Sequence, residues 1–181
     1  MKKIMRYLMM SLLAFCLSVP CFGAVEAATV ALLPLINNTD NELANQVFYK
    51  EALGTLKRQQ GFVLVENDRL TAAIEAAKLD GQLPDAAQMS KIAADGGVDI
   101  VIAMQLDKLS KTVRPSSEER TLILNLKGQA VAYNAITDKE YSHKISSSAR
   151  APEAVTSRWD WLNEQWGRQV RLEMEKALKA Q

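Results

Sequence analysis

The side chains able to do covalent or metal chemistry are few. His143 is the only imidazole of the chain, and it stands in a polar strand-like run, where an isolated histidine is a surface group. Without a second imidazole or a thiolate, a transition-metal site would have to be built mainly from carboxylates, an uncommon donor set. The acidic pairs Glu118–Glu119 and Asp138/Glu140 fall in expected loops, where water solvates both charges and no buried neighbour drives their pKa values apart as acid–base catalysis requires. No G-x-S-x-G elbow occurs, and the turn after the first apolar run, residues 37–41, contains no glycine to cradle a phosphate. The sequence therefore assigns no catalytic, cofactor-binding or metal-ligating residue, and no enzyme activity or cofactor is expected. Two candidate partner contacts stand out instead. Arg114 lies in a small basic cluster with Lys111 and Arg120. Trp161 lies about 200° around its helix from Trp159, away from the apolar stripe that carries Trp159 and Trp166.

Composition narrows the class. The 181 residues are 48% hydrophobic and 24% charged, with 22 Lys+Arg against 21 Asp+Glu, which is the make-up of a chain that buries a core. A net charge of +1 provides no field to draw in a polyanion, so no nucleic-acid partner is expected. Lys2, Lys3 and Arg6 precede the apolar run Leu8–Val19, Pro20 and then small residues. This is the order of a secretory signal peptide, with Val25-Glu26-Ala27 the best cleavage site. Residues 1–27 are read as that signal and 28–181 as a single exported domain, periplasmic or otherwise extracytoplasmic. Cys16 and Cys21 go with the signal, so the mature chain carries no disulfide or thiolate metal site. Phe15 and Pro20 precede the two cysteines, where lipid attachment needs a small residue. The mature chain is expected to have no transmembrane segment, and to touch a membrane only if the signal stays uncleaved.

The elements follow from hydrophobic period. Thr29–Ile36 is a nearly continuous apolar run ended by Asn37-Asn38-Thr39-Asp40, the pattern of a strand buried on both faces. Thr39-x-x-Glu42 has capping-box spacing ahead of an amphipathic helix ending near Arg58. Phe62–Val65 is a second strand, and Asn67 or Asp68 caps a short helix carrying Leu70, Ala73, Ile74 and Ala77. Pro84 and Asp85 open a third helix, stopped by Gly96-Gly97. In the strand Val98–Leu106, Ile100, Ile102, Met104 and Leu106 share one face. Lys111–Arg120 is polar and reads as an exposed connection. Thr121–Ala135 and Tyr141–Ala149 read as an antiparallel edge hairpin, and Glu153–Ala180 as a long helix. The β-α-β-α-α-β order predicts an α/β fold. It should be a single three-layer domain with a mixed, mostly parallel five-stranded sheet, an antiparallel edge hairpin, helices on its faces and a long C-terminal helix.

Residues 29–150 also resemble a bacterial envelope family. That family includes the curli secretion channel, the lipoprotein activator of penicillin-binding proteins and the amino-terminal domain of the Tol translocation protein. The resemblance rests on Pro34, Leu35 and Asn37 after the first strand, on Val63, Val65, Glu66, Asn67 and Leu70, and on Gly97, Asp99 and Ile100 after an alanine-rich helix. It implies a mixed sheet flanked by helices and a role in binding envelope components without catalysis. The polar KTVRPSSEER segment cannot supply a lipid-facing hairpin, so a periplasmic module is expected rather than a pore.

Two functions follow. The first is an exported, non-enzymatic interaction or assembly module of the cell envelope that binds a protein partner or itself, through the hairpin edge or the Trp161 side of the last helix. The second is a small-ligand binder or enzyme using a pocket at the carboxyl ends of the parallel strands, around Asn37, Asn38, Thr39, Glu66 and Asn67.

Overall fold

Pro34 divides the first apolar run in two. Ala28–Leu32 form β1 and Ile36–Asn37 form β2, because proline has no N–H for a ladder bond. β1 lies between β3 (Phe62–Leu64) and β4 (Ile100–Pro115), parallel to both, and β2 runs parallel to β4 further along. β5 (Arg120–Asn134) and β6 (Lys139–Pro152) follow antiparallel, completing one sheet in the order β3-β1-β4-β5-β6. The computed structural model describes residues 27–115, 120–152, 164, 167, 168, 170–172 and 174–176.

Three helices connect the parallel strands: α1 (Glu42–Arg58), α2 (Asp68–Ala77) and α3 (Ala86–Gly96). Strand alternation sorts the core into two layers. Val30, Leu32, Ile100, Ile102 and Met104 pack against Phe48, Ala52 and Leu56 of α1 and against Val170 and Met174. Ala31, Leu33, Val101, Ala103 and Val131 pack against Leu70 of α2 and Met89 and Ile92 of α3. The expected mixed sheet with helices on both faces is thus present. The described residues between 164 and 176 are helical, and Val170 and Met174, from the expected apolar stripe, are buried. A Cβ on Gly167 would stand 2.9 Å from Glu51 Cδ of α1, so this helical segment approaches α1 closely. The remainder of the expected long helix lies outside the described residues.

Local chemistry fixes the helix ends. Asn67 caps α2, its Oδ1 accepting from Leu70 N–H at 2.8 Å. Asp85 and Gln88 form a reciprocal capping box on α3. Gly97, at φ 68°, ends α3 in the left-handed conformation that glycine adopts without steric cost. Arg69 donates to the carbonyls of Ala94 and Asp95, setting a cation at the negative end of that helix.

Two expectations need correction. The Thr39-x-x-Glu42 box does not form, because α1 starts at Glu42 and the Thr39 hydroxyl donates to Asn37 Oδ1 at 2.7 Å while accepting from Asn41 N–H. Lys111–Pro115 are not part of a loop. They extend β4 well past Leu106, paired with Arg120–Leu124 of β5. Both faces of this extension are largely solvated, with Lys111, Thr112, Arg114 and Pro115 exposed and Val113 half-buried, so its sequence shows almost no apolar alternation. Residues 116–119, the rest of the expected connection, lie outside the described residues.

Candidate functional site

The first candidate is the group of residues at the carboxyl ends of the parallel strands. Asn37, Asn38 and Thr39 are brought together, but mainly to close their own turn. Asn37 Oδ1 accepts from both the Thr39 N–H and its hydroxyl, Asn37 Nδ2 donates to Asn41 O at 2.9 Å, and Asn38 N–H donates to Leu106 O at 2.8 Å. An open depression of about 700 Å³ is walled by residues 38–42 and by Asp107, Lys108 and Leu109. Glu66 and Asn67 belong to the wall of neither this depression nor the one beside it at Pro34–Asn38. Asn67 is committed to its cap. Glu66 lies 3.8 Å from Lys57 Nζ with its side chain 56% exposed, a solvated pair of small energetic weight. The titratable group that Glu66 does influence is Tyr49. Burial raises the phenol above its ordinary range, and the negative charge of Glu66 raises it further.

The second candidate is the antiparallel ribbon of β4, β5 and β6. β5 is paired along its length on both sides, with Leu122, Leu124 and Leu126 buried. Among the described residues β6, 14 residues long, is paired by β5 and is the last strand in the order of the sheet. Within it Ile145–Ala149 carries no charge and no proline, the two devices by which natural edges usually repel a further strand. His143 stacks on Tyr141, ring centroids 6.2 Å apart and planes within 9°, on the β6 face that packs toward the core. Arg114 is exposed near the far end of β4. Trp161 lies outside the described residues.

Two features of the ribbon go beyond the sequence reading: the full extent of β6, and the side chains its outer face presents. The signal for the second is the period-two run Lys108, Ser110, Thr112, Arg114 in β4 and Ser142, Lys144, Ser146, Ser148, Arg150 in β6, legible once both segments are known to be strands. Among the described residues no group of three His, Cys, Asp or Glu side chains could hold a metal ion, and no helix is long and apolar enough to cross a membrane.

No family model and no curated protein matches the chain. Solved structures do match. The hypothetical protein CT253 from Chlamydia trachomatis superposes with a TM-score of 0.52 at 14% identity, covering 84% of this chain and 94% of that one. Lipoprotein GNA1162 from Neisseria meningitidis matches at TM-score 0.47 and 15% identity over 82% of this chain and 99% of its own. The LpoB C-terminal domain from Escherichia coli matches at 0.40 and 18% over 74% and 92%. At 14% identity the likeness to CT253 is one of fold, that of a mixed α/β domain. The likenesses to the curli channel and the Tol protein remain expectations from sequence.

Proposed function

We propose that the protein is an exported, non-enzymatic interaction or assembly module of the bacterial cell envelope. Its residues 1–27 are removed near Ala27 and the remainder acts outside the cytoplasm. The outer edge of β6 at Ile145–Ala149 is the surface that engages a protein partner or a second copy of the chain. The observation carrying this reading is that edge itself: strand paired on one side by β5 and, among the described residues, by no other strand, with an uncharged central stretch that offers ladder donors and acceptors to an incoming strand. The solvated state of Glu66 agrees with binding rather than turnover.

The test is photo-crosslinking in producing cells from a photoreactive residue at Ser146 or Ser148, with Lys91 on α3 as control. The reading expects one adduct of defined mass from the β6 positions, either the dimer or a single heavier species, and none from Lys91. Equal adducts from all three positions, or none from β6, would refute it.

A further inference from the structure

The outer face of the ribbon carries an organised set of cations. Beyond the reach of α2 and α3, one face of β4–β5–β6 is open. Strand register places Lys108 directly opposite Lys127, sets Lys144 of β6 diagonally beside them across the Lys127–Ser146 pair, and puts Arg150 opposite Ile123 on the same face. All four side chains are exposed, and none is ion-paired with another described residue. Arg114 continues the array along β4. The remaining positions on this face are small or neutral, among them Ser110, Thr112, Asn125, Ser146 and Ser148. Of the carboxylates beside the array, Asp107 accepts hydrogen bonds from Gln105 and Asn38 at its base, and Glu140 shares this face of β6 four positions before Lys144, opposite Tyr133. Glu118 and Glu119 lie outside the described residues.

Like charges directly opposite in an antiparallel pair repel, so Lys108 facing Lys127 costs stability unless an external anion neutralises it. The form of that anion follows from the face. Lys108 also borders the open depression at residues 38–42, but Lys127, Lys144 and Arg150 lie on the pleated surface away from that depression's wall. The face presents no aromatic ring on which a base or sugar could stack. It is a pleated surface three strands wide with point charges distributed over all three, which matches a flat layer of phosphates. We infer that this face docks on the surface of an anionic phospholipid bilayer, with Lys108, Lys127, Lys144 and Arg150 at the headgroups and the β6 edge lying in the membrane plane. Contact of this kind is independent of whether the signal peptide is cleaved.

The test is co-sedimentation of the exported form, purified from producing cells, with vesicles of phosphatidylcholine alone and with vesicles containing phosphatidylglycerol. Any retained apolar leader binds both, so the readout is the difference between them. The inference expects stronger binding to anionic vesicles, falling as salt rises. The combined variant Lys108→Gln, Lys127→Gln, Lys144→Gln should lose on the order of a hundredfold, since each cation near an anionic surface is worth about fivefold. The matching Lys→Arg variant should retain binding, and unchanged melting of both variants separates lost docking from lost fold. Equal binding to both vesicle types, an anionic preference that survives the glutamine changes, or binding to soluble polyphosphate without binding to vesicles would each overturn it. None of these outcomes bears on crosslinking from the β6 edge, so the two readings fail separately.

Discussion

Thr29 and Asp99, seventy positions apart, are joined by four hydrogen bonds. Asp99 Oδ2 accepts from the Thr29 N–H at 2.8 Å and from its hydroxyl at 2.7 Å, while the Asp99 N–H donates to the Thr29 hydroxyl oxygen at 2.9 Å and to its carbonyl at 3.1 Å. The pair ties the start of β1 to the residue before β4, at the point where α3 has just been stopped by Gly97. This accounts for the Gly-x-Asp spacing that contributed to the family resemblance: glycine turns the chain and the carboxylate locks it to β1.

Asp99→Ala should therefore destabilise the fold by about 1–3 kcal/mol, the cost of stranding partly buried donors, and Thr29→Val by less, since the backbone donor keeps its acceptor. Chemical denaturation of the two single variants and the double variant checks this. The double variant should lose less than the sum of the singles, because both report on one cluster.

Two glycines separate steric need from mere tolerance. A Cβ on Gly128 would lie 2.3 Å from the Gln105 carbonyl oxygen of β4, whereas one on Gly54, inside α1, would meet only the mobile Arg58 guanidinium at 3.4 Å. Gly128→Ala should cost about 3 kcal/mol through backbone displacement. Gly54→Ala should gain about 0.5–1 kcal/mol through helix propensity and a less flexible unfolded chain. Melting temperatures moving in opposite directions are the expected result.

The phenol of Tyr49 provides a pH signature. Burial first, and the Glu66 charge second, raise its pKa in the folded state. The folded chain thus holds this proton more tightly than the unfolded chain, and the stabilisation is complete below pH 10 and is lost as pH rises through the folded value. Ultraviolet titration of phenolate should show one tyrosine ionising late, absent in Tyr49→Phe. Glu66→Gln should lower that pKa only modestly, because burial remains.

The parts of the fold that could be read in advance were those with two-sided burial. Ile100–Leu106 alternates between two apolar layers, so the face of each residue followed from its parity. The starts of α2 and α3 were legible because capping chemistry is local, although the sequence left Asn67 and Asp68 both open as the first cap and set Asp85 in the first turn of α3, where the structure makes it the cap. The segment Lys111–Pro115 was opaque for the opposite reason. Its partners, Arg120–Leu124, decide its conformation, and its own side chains carry only Val113 as an apolar marker. Glu66 lines neither depression beside the Asn37–Thr39 turn, and its distance from that turn was not legible because the proximity of loops after different strands depends on their lateral placement and twist, which no local pattern encodes. The cation array was hidden behind the near-neutral total charge: a sum over the chain is silent about which face the charges share.

The ladder between β4 and β5 slips by one residue between Leu106 and Lys108. Leu106 and Leu109 consequently both face the main core, three positions apart where an unbroken pleat would demand an even number. Asp107 thus acts as a half-step in the weave. Deleting that one residue would leave a continuous ladder, Leu106 opposite Gly128 and Lys108 opposite Lys127 as now, whereas deleting a single residue within Ser110–Val113 would turn the strand beyond it inside out. Asp107 is therefore the one place in this arm where the chain can shorten by a residue without exchanging its two faces, and single-residue deletions should be far better tolerated there than anywhere from Ser110 to Val113.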